Sequence, residues 1–337
     1  MSAAQRLVDS YGRRIANLRI SLTDRCNFSC VYCTPADGFP LVSMSQFLTL
    51  PEISRLVRVL GGCGVHRVRL SGGEPLLRRD IVDIVRTLKT IDTVHELSIT
   101  TNGSRLSDLA VPLRQAGLDR LNVSLDSVDP KRFEEVTRRA QHQRVLEGLE
   151  AALQAGFPVK LNMVVLADVS VEEIFQFVEL AVGHNIEVRF LEFMPLCGDG
   201  WEAEQVFPIA TVREMVAQRY QLEELPRGDR TAQSFTIAGG QGKVGFIASL
   251  SEPFCETCSR IRITADGKIR PCLFSDFEVS LLDVLRGGAT DDELLDVIRR
   301  AVANKPKGNQ FVDEPFRPGE ESGSRVTGGP LIRSVGG

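Results

Sequence analysis

The stretch Arg19-Ile20-Ser21-Leu22-Thr23-Asp24-Arg25-Cys26-Asn27-Phe28-Ser29-Cys30-Val31-Tyr32-Cys33 places three cysteines within eight residues. Residues 19–22 read as a short β-strand, and three cysteines follow at once on a loop at its carboxyl end. Three thiolates on one short loop can hold three irons of a four-iron cluster and leave the fourth iron open to a small chelating molecule. A structural zinc site, which would want a fourth Cys or His, and unligated buried thiols are the alternatives.

Outward from that loop, strand signals recur at 19–22, 65–70, 96–100, 120–125, 159–166 and 186–191. Between them, Ile53/Leu56/Val57/Leu60, Ile81/Ile84/Val85/Leu88 and Ile174/Phe177/Val178/Ala181 follow the spacing of amphipathic helices. Asp80 stands at an N-cap position, and Pro51 suits a first turn. Strand and helix in regular alternation imply parallel strands with right-handed crossovers. The expected fold is α/β, a partial (β/α)6 barrel over residues 1–205, with a doubly wound sheet as the alternative.

From residue 206 the pattern changes. A helix near 212–220, strands at 235–237 and 243–248, and a hairpin over 260–273 are expected, with Asp266-Gly267 as a two-residue turn. A helix over 291–303 completes an α+β region, residues 206–304. Residues 305–337, rich in Gly and Pro, read as an extended or mobile tail.

Eight cysteines occur, and six form two triplets. The second triplet is Cys255-x-x-Cys258 with Cys272, which the hairpin can fold back beside Cys258. A second three-cysteine cluster with an open iron is geometrically reasonable, and zinc is the competing reading. Cys63 and Cys197 belong to no triplet and read as structural, and His66, His95, His142 and His184 read as structural or surface residues.

The 337 residues carry 40 Lys plus Arg against 44 Asp plus Glu, a formal charge of −4, which argues against broad coating of nucleic acid. Residues 1–14 show no apolar core of signal-peptide length, and no apolar run reaches the ~18 residues that span a bilayer. A cytoplasmic protein without membrane or nucleic-acid partners is expected. No Walker-type phosphate loop occurs, so a bound nucleotide would be gripped by side chains.

Ser71-Gly72-Gly73-Glu74-Pro75, Thr100-Thr101-Asn102-Gly103, Ser124-Leu125-Asp126-Ser127 and Glu192-Phe193-Met194-Pro195 all fall at the carboxyl ends of strands, where parallel α/β folds build active sites. Gly72 and Gly73 would let backbone approach a bound cofactor. Basic residues Arg19, Arg67, Arg69, Lys160, Arg260 and Arg262 recur near the same expected mouth, and alternation pairs Arg67 with Arg69 and Arg260 with Arg262 on common faces. Paired guanidinium forks suit a polyphosphate, although solvent-facing ion pairs would also explain them.

The Cys26/Cys30/Cys33 spacing with Tyr32 and Gly72-Gly73-Glu74-Pro75 resembles the radical S-adenosylmethionine superfamily. Residues 254–262 with Asp266-Gly267, Pro271-Cys272-Leu273-Phe274 and the terminal Gly336-Gly337 are similar to its GTP 3′,8-cyclase family, of molybdenum cofactor biosynthesis. The likeness runs from about Arg14 to Gly337. It implies two 4Fe-4S clusters, on Cys26/Cys30/Cys33 and on Cys255/Cys258/Cys272, and S-adenosylmethionine contacts at Tyr32, Gly73, Ser124 and Met194.

It implies GTP contacts at Arg19, Arg69, Thr100, Lys160, Arg260, Ile261 and Arg262, with Arg67 as an addition, and catalytic roles for Arg260, Arg262, Gly336 and Gly337. The implied reaction uses a 5′-deoxyadenosyl radical to take hydrogen from C3′ of GTP, after which C3′ attacks C8 of guanine. Implied partners are an electron donor such as a flavodoxin or ferredoxin and a downstream cyclic pyranopterin monophosphate synthase. Dimers occur in the family, although no surface stripe here demands one. The sequence departs from the family at Ser29, where a basic residue is common, at Asn309, where histidine is frequent, and conservatively at Leu331 and Val335.

Overall fold

The computed structural model describes residues 6–35, 38, 40–196 and 203–309. Six strands, β1 (Asn17–Ser21), β2 (Arg67–Ser71), β3 (Glu96–Thr101), β4 (Arg120–Ser124), β5 (Val159–Val165) and β6 (Ile186–Glu192), stand side by side in chain order, each parallel to the next. The connecting helices are α1 (Leu50–Gly62), α2 (Ile81–Lys89), α3 (Leu106–Gln115), α4 (Pro130–Thr137), α5 (His142–Gln154) and α6 (Val171–Gly183). This is the partial barrel that the alternation of strand and helix predicts.

Strand alternation sorts the two faces. In β5, Val159, Leu161, Met163 and Val165 are buried in the apolar core, whereas Lys160, Asn162 and Val164 are half-buried on the inner face. Helix ends follow local chemistry. Thr49 and Glu52 form a capping box ahead of Pro51 in α1, and Ser170 caps α6 through the Glu173 N–H at 3.1 Å. Asp80 stands at the N-cap of α2 but makes no capping bond. Arg78 takes its carboxylate instead, at 2.6 and 2.9 Å, and also donates to the carbonyls of Leu22 and Leu48.

The C-terminal region contributes α7 (Ile209–Arg219), β7 (Leu222–Glu224), β8 (Gln233–Ile237), β9 (Lys243–Ile247), β10 (Arg260–Ile263), β11 (Lys268–Arg270), β12 (Val279–Ser280), α8 (Leu282–Arg286) and α9 (Asp291–Ala303). It builds no sheet of its own. β9 pairs parallel to β6 and β10 parallel to β1, so a single 12-stranded sheet runs β12-β11-β10-β1-β2-β3-β4-β5-β6-β9-β8-β7. Both edges of the six-stranded core are thereby covered. A small apolar cluster, Leu196, Leu250, Leu273 and Phe274, brings residues from beyond β6, β9 and β11 together, with Met194 and Cys272 against it.

The β10–β11 hairpin exists, but its turn is wider than expected. The Thr264 N–H donates to the Lys268 carbonyl at 2.9 Å, leaving a three-residue connection, 265–267. Only Gly267 adopts positive φ there, at 73°, whereas a type I′ two-residue turn needs positive φ at both central positions. Among the described residues no helix is long and apolar enough to cross a membrane.

An aromatic line ties the two regions: Phe177 of α6 meets Phe190 of β6 at 6.5 Å, Phe190 stacks on Phe246 of β9 at 5.9 Å, and Phe246 meets Phe235 of β8 at 5.7 Å. Phe190 is fully buried. Phe190→Ala is expected to cost about 3–5 kcal/mol by opening a cavity at this junction, read as a lowered midpoint in urea unfolding.

Candidate active site

The first cysteine loop is built against the segment that follows β2. Gly73 N–H donates to the Thr23 carbonyl at 2.7 Å, and Glu74 N–H to the Arg25 carbonyl at 2.8 Å. A Cβ on Gly72 would fall 2.3 Å from the Thr23 carbonyl oxygen, and one on Gly73 2.2 Å from that of Arg25. The backbone of the cysteine loop thus packs directly on both glycines, and Gly72 and Gly73 also line the central cavity.

Glu74 then ties the second crossover to the third. Its carboxylate accepts from Leu76 N–H at 2.9 Å, Thr101 Oγ1 at 2.7 Å and Asn102 N–H at 2.7 Å. Burial nevertheless pushes it up to about 7. Tyr32 donates to Asp126 at 2.6 Å, and burial pushes Asp126 up to about 6. Around Cys26 Sγ, the Phe28 N–H lies at 3.4 Å and Asn102 Nδ2 at 3.8 Å. Burial, then the charges of Asp126, Cys33 and Cys26, drives the Cys30 thiol well above its ordinary range. Three thiolates gathered here therefore call for positive charge between them, which irons supply.

The second triplet has a different electrostatic setting. Burial would raise Cys258, but Arg260, Lys305 and Arg262 outweigh it and bring the thiol down to about 6. Burial and the neighbouring Cys272 and Cys258 push Cys255 up. The start of the presumed tail is structural here, contrary to expectation. Lys305 is only 3% exposed, and its Nζ donates to the carbonyls of Arg260 at 2.9 Å and Pro271 at 2.6 Å. Arg13, anchored by Asp9, donates to the carbonyls of Cys255, Pro306 and Lys307. Asn309 is also buried, its side chain 3.5 Å from the Ser249 carbonyl.

All six triplet cysteines line one cavity, some 1740 Å³ of space with its open mouth included. No triplet cysteine is in a disulfide. Among the described residues no group of three or more His, Cys, Asp or Glu side chains is drawn together for a single metal ion. The two triplets stand at different levels. Cys26, Cys30 and Cys33 lie past the end of β1, whereas Cys258 precedes Arg260, which pairs with Asn17 at the start of β1.

The basic residues also lie away from the expected mouth. Register aligns Asn17 with Arg67 and Arg260, and one inward-facing step further along Arg19 with Arg69 and Arg262. They lie inside the barrel and towards its N-terminal end, not at the carboxyl-end mouth, because they occupy the starts and middles of their strands.

Tyr32, Gly73, Ser124 and Met194 all line the cavity, as do Arg19, Arg69, Thr100, Arg260 and Arg262. Lys160 does not. Its Nζ is held by Glu187 at 2.7 Å, which also binds Arg189 at 2.8 Å. Ile261 is fully buried on the opposite face of β10, in the apolar core. Cys197, Gly336 and Gly337 lie outside the described residues. Arg189, Phe254 and Lys305 also line the cavity and were not singled out from sequence. Arg189 could have been, as a lone cation on the inward parity of β6.

Charge is unevenly compensated. Arg120 pairs with Glu96, Lys160 and Arg189 with Glu187, and Arg67 with Asp229. Among the described residues Arg19, Arg69, Arg260 and Arg262 have no salt bridge. Burial, then Arg262, Arg69 and Arg260, pulls Arg19 well below the usual guanidinium range, and burial brings Arg69 down to about 9. Ser71 Oγ, Thr100 Oγ1, Asn162 Oδ1 and Arg262 Nε, all of lining residues, are buried without a hydrogen-bond partner. Such a site suits a polar polyanion.

Residues 20–181 match the model of the Radical SAM superfamily, and residues 186–311 that of Molybdenum Cofactor Synthesis C. A protein of Moorella thermoacetica named GTP 3′,8-cyclase is 43% identical over 301 residues, 88% of this chain and 93% of that one. Molybdenum cofactor biosynthesis protein 1 of Drosophila melanogaster is 44% identical over 304 residues, 89% of this chain but 54% of its own, so this chain spans about half that relative's length. Streptococcus suis SuiB bound to S-adenosylmethionine shares the fold, with TM-score 0.58 at 16% identity over 86% of this chain and 67% of that one.

Two outcomes follow from the site. Lys305→Met removes a cation beside Cys258, so the pH midpoint for alkylation of that thiol in iron-free protein should rise from about 6. Burial would raise Glu187, but Arg189 and Lys160 hold it down to about 2. A carboxylate depressed from an unfolded value of about 4.3 adds stability that is complete above that value and lost as pH falls towards 2. The unfolding midpoints of wild type and Glu187→Gln should therefore differ at pH 7 and converge on acidification.

Proposed function

The chain belongs to the GTP 3′,8-cyclase family of the radical S-adenosylmethionine superfamily, and we propose that it joins C3′ to C8 of GTP in molybdenum cofactor biosynthesis. The observation that carries this reading is one cavity lined by two cysteine triplets with four uncompensated arginines. When bound, the clusters and S-adenosylmethionine would supply an electron that cleaves the sulfonium C5′–S bond, releasing methionine, and the resulting 5′-deoxyadenosyl radical would take the C3′ hydrogen. One further electron and one proton complete the product after C3′ bonds to C8, and a flavodoxin- or ferredoxin-type donor is the proposed source of electrons.

The residues of this chain hold and orient. Cys26, Cys30 and Cys33 would carry the first cluster, and Cys255, Cys258 and Cys272 the second. Tyr32, locked by Asp126, stands with Gly73, Ser124 and Met194 as the proposed S-adenosylmethionine contacts. Arg19, Arg69, Arg260 and Arg262 would take the triphosphate and keep it from solvent, since guanidinium forks match phosphate oxygens in twos. Thr100 presents a buried hydroxyl with no partner of its own. Lys160 and Arg67, engaged by carboxylates, are proposed as supports of the cationic wall, Ile261 as an apolar anchor of β10, and Gly336 and Gly337 as tail contacts. We further propose a cytoplasmic location and, downstream, the cyclic pyranopterin monophosphate synthase.

Anaerobic reconstitution with iron and sulfide tests the reading. About eight irons per chain are expected, falling to about four in the Cys258→Ser/Cys272→Ser variant. With S-adenosylmethionine and reductant, cyclised nucleotide should form from GTP and not from ATP, and Arg262→Ala should cut it at least 100-fold. Full loading with no nucleotide-dependent product would count against the proposal.

A further inference from the structure

We infer that Asp229 fixes how long a phosphate chain the cavity accepts, an inference that rests on the polyphosphate reading above. Asp229 lies in the connection between β7 and β8, residues 225–232. Its carboxylate accepts from Arg67, from Asn17 Nδ2 at 3.3 Å and from Ser259 Oγ at 3.0 Å, while its carbonyl accepts from Arg260 at 3.2 Å. Asn17 and Arg67 are the first residues of β1 and β2, and Ser259 immediately precedes β10. A loop from the far edge of the sheet thus crosses the N-terminal end of the barrel and is pinned to three of its strands.

The latch lies just beyond the cavity. Arg19, Arg69 and Arg260 line it, and so does Thr231 from the same connection, whereas Arg67, Asn17 and Asp229 do not. Arg67 and Asn17 sit two residues before Arg69 and Arg19 on the same faces, so they form the next layer down. The rest of the connection is packed: Arg227 lies over the Phe254 ring at 4.9 Å, and Arg260 over it at 5.0 Å. Phe254 and Arg260 are themselves lining residues.

A polyphosphate lying along Arg19, Arg69 and Arg260 would find the Asp229 carboxylate just past the end of the cavity. An additional phosphate would need the place Asp229 holds against Arg67, Asn17 and Ser259, and like charge makes that placement costly. With the carboxylate removed, the same three donors face an empty position and match the oxygens of a phosphate. Asp229 therefore acts as a specificity residue that keeps Arg67 out of the binding set and ends the site at a fixed depth.

Equilibrium binding of GTP and guanosine 5′-tetraphosphate to the reconstituted protein tests this, in wild type, Asp229→Ala and Asp229→Asn. Wild type should bind GTP at least tenfold more tightly than the tetraphosphate. Asp229→Ala should narrow that ratio at least tenfold, and Asp229→Asn, which keeps the shape without the charge, should move it the same way by less. Thermal unfolding identifies a variant that fails to fold, and Asp229→Asn then decides. A wild-type ratio near one, or ratios unchanged within twofold in a folded variant, overturns the role of Asp229 while leaving GTP binding intact. Wild type that binds neither nucleotide overturns the polyphosphate reading, and this inference with it.

Discussion

Strand β1 is hydrogen-bonded on both sides, to β2 and to β10, and both pairings are parallel. That double pairing joins a cysteine loop near residue 26 to a cysteine triplet more than 200 residues further on. Its register also decides which arginines share a level, setting Arg19 between Arg69 and Arg262. Side-chain alternation then turns all three inward, while Leu18, Ile20, Val68, Leu70, Ile261 and Ile263 enter the apolar core. A slip of one residue in either pairing would exchange the two sets and destroy the site and the core together.

The same arrangement stores an electrostatic cost. Arg19, Arg69, Arg260 and Arg262 crowd like charge into a poorly solvated interior. Glu96, Glu187 and Asp229 offset Arg120, Lys160, Arg189 and Arg67, whereas among the described residues Arg19, Arg69, Arg260 and Arg262 have no salt bridge. The proposed polyphosphate would offset that repulsion. The cysteines divide along similar lines: Cys30 lies among acidic neighbours, and Cys258 among cations.

Much of this was legible in the sequence because it is local. The six core strands lie within two residues of their expected bounds, and α9 spans the expected 291–303, set by its Thr290–Glu293 capping box. Both triplets and the strand-end motifs were read from spacing alone. Partnership between distant strands was not, since periodicity tells which face of a strand is apolar and is silent on its neighbour. The parallel joins β6–β9 and β1–β10, the level of the second triplet and the Asp229 latch all depend on that missing information. Lys305 was hidden differently: the Gly and Pro composition that follows it reads as a tail, while its own side chain is buried between Arg260 and Pro271.

Isotope transfer shows whether this cavity directs radical chemistry to C3′ of GTP. GTP deuterated at C3′ would be incubated anaerobically with the reconstituted protein, S-adenosylmethionine and reductant, and the 5′-deoxyadenosine weighed by mass spectrometry. The expected product is 5′-deoxyadenosine heavier by one mass unit, formed together with cyclised nucleotide. Unlabelled 5′-deoxyadenosine, made at the same rate with or without GTP, would contradict it.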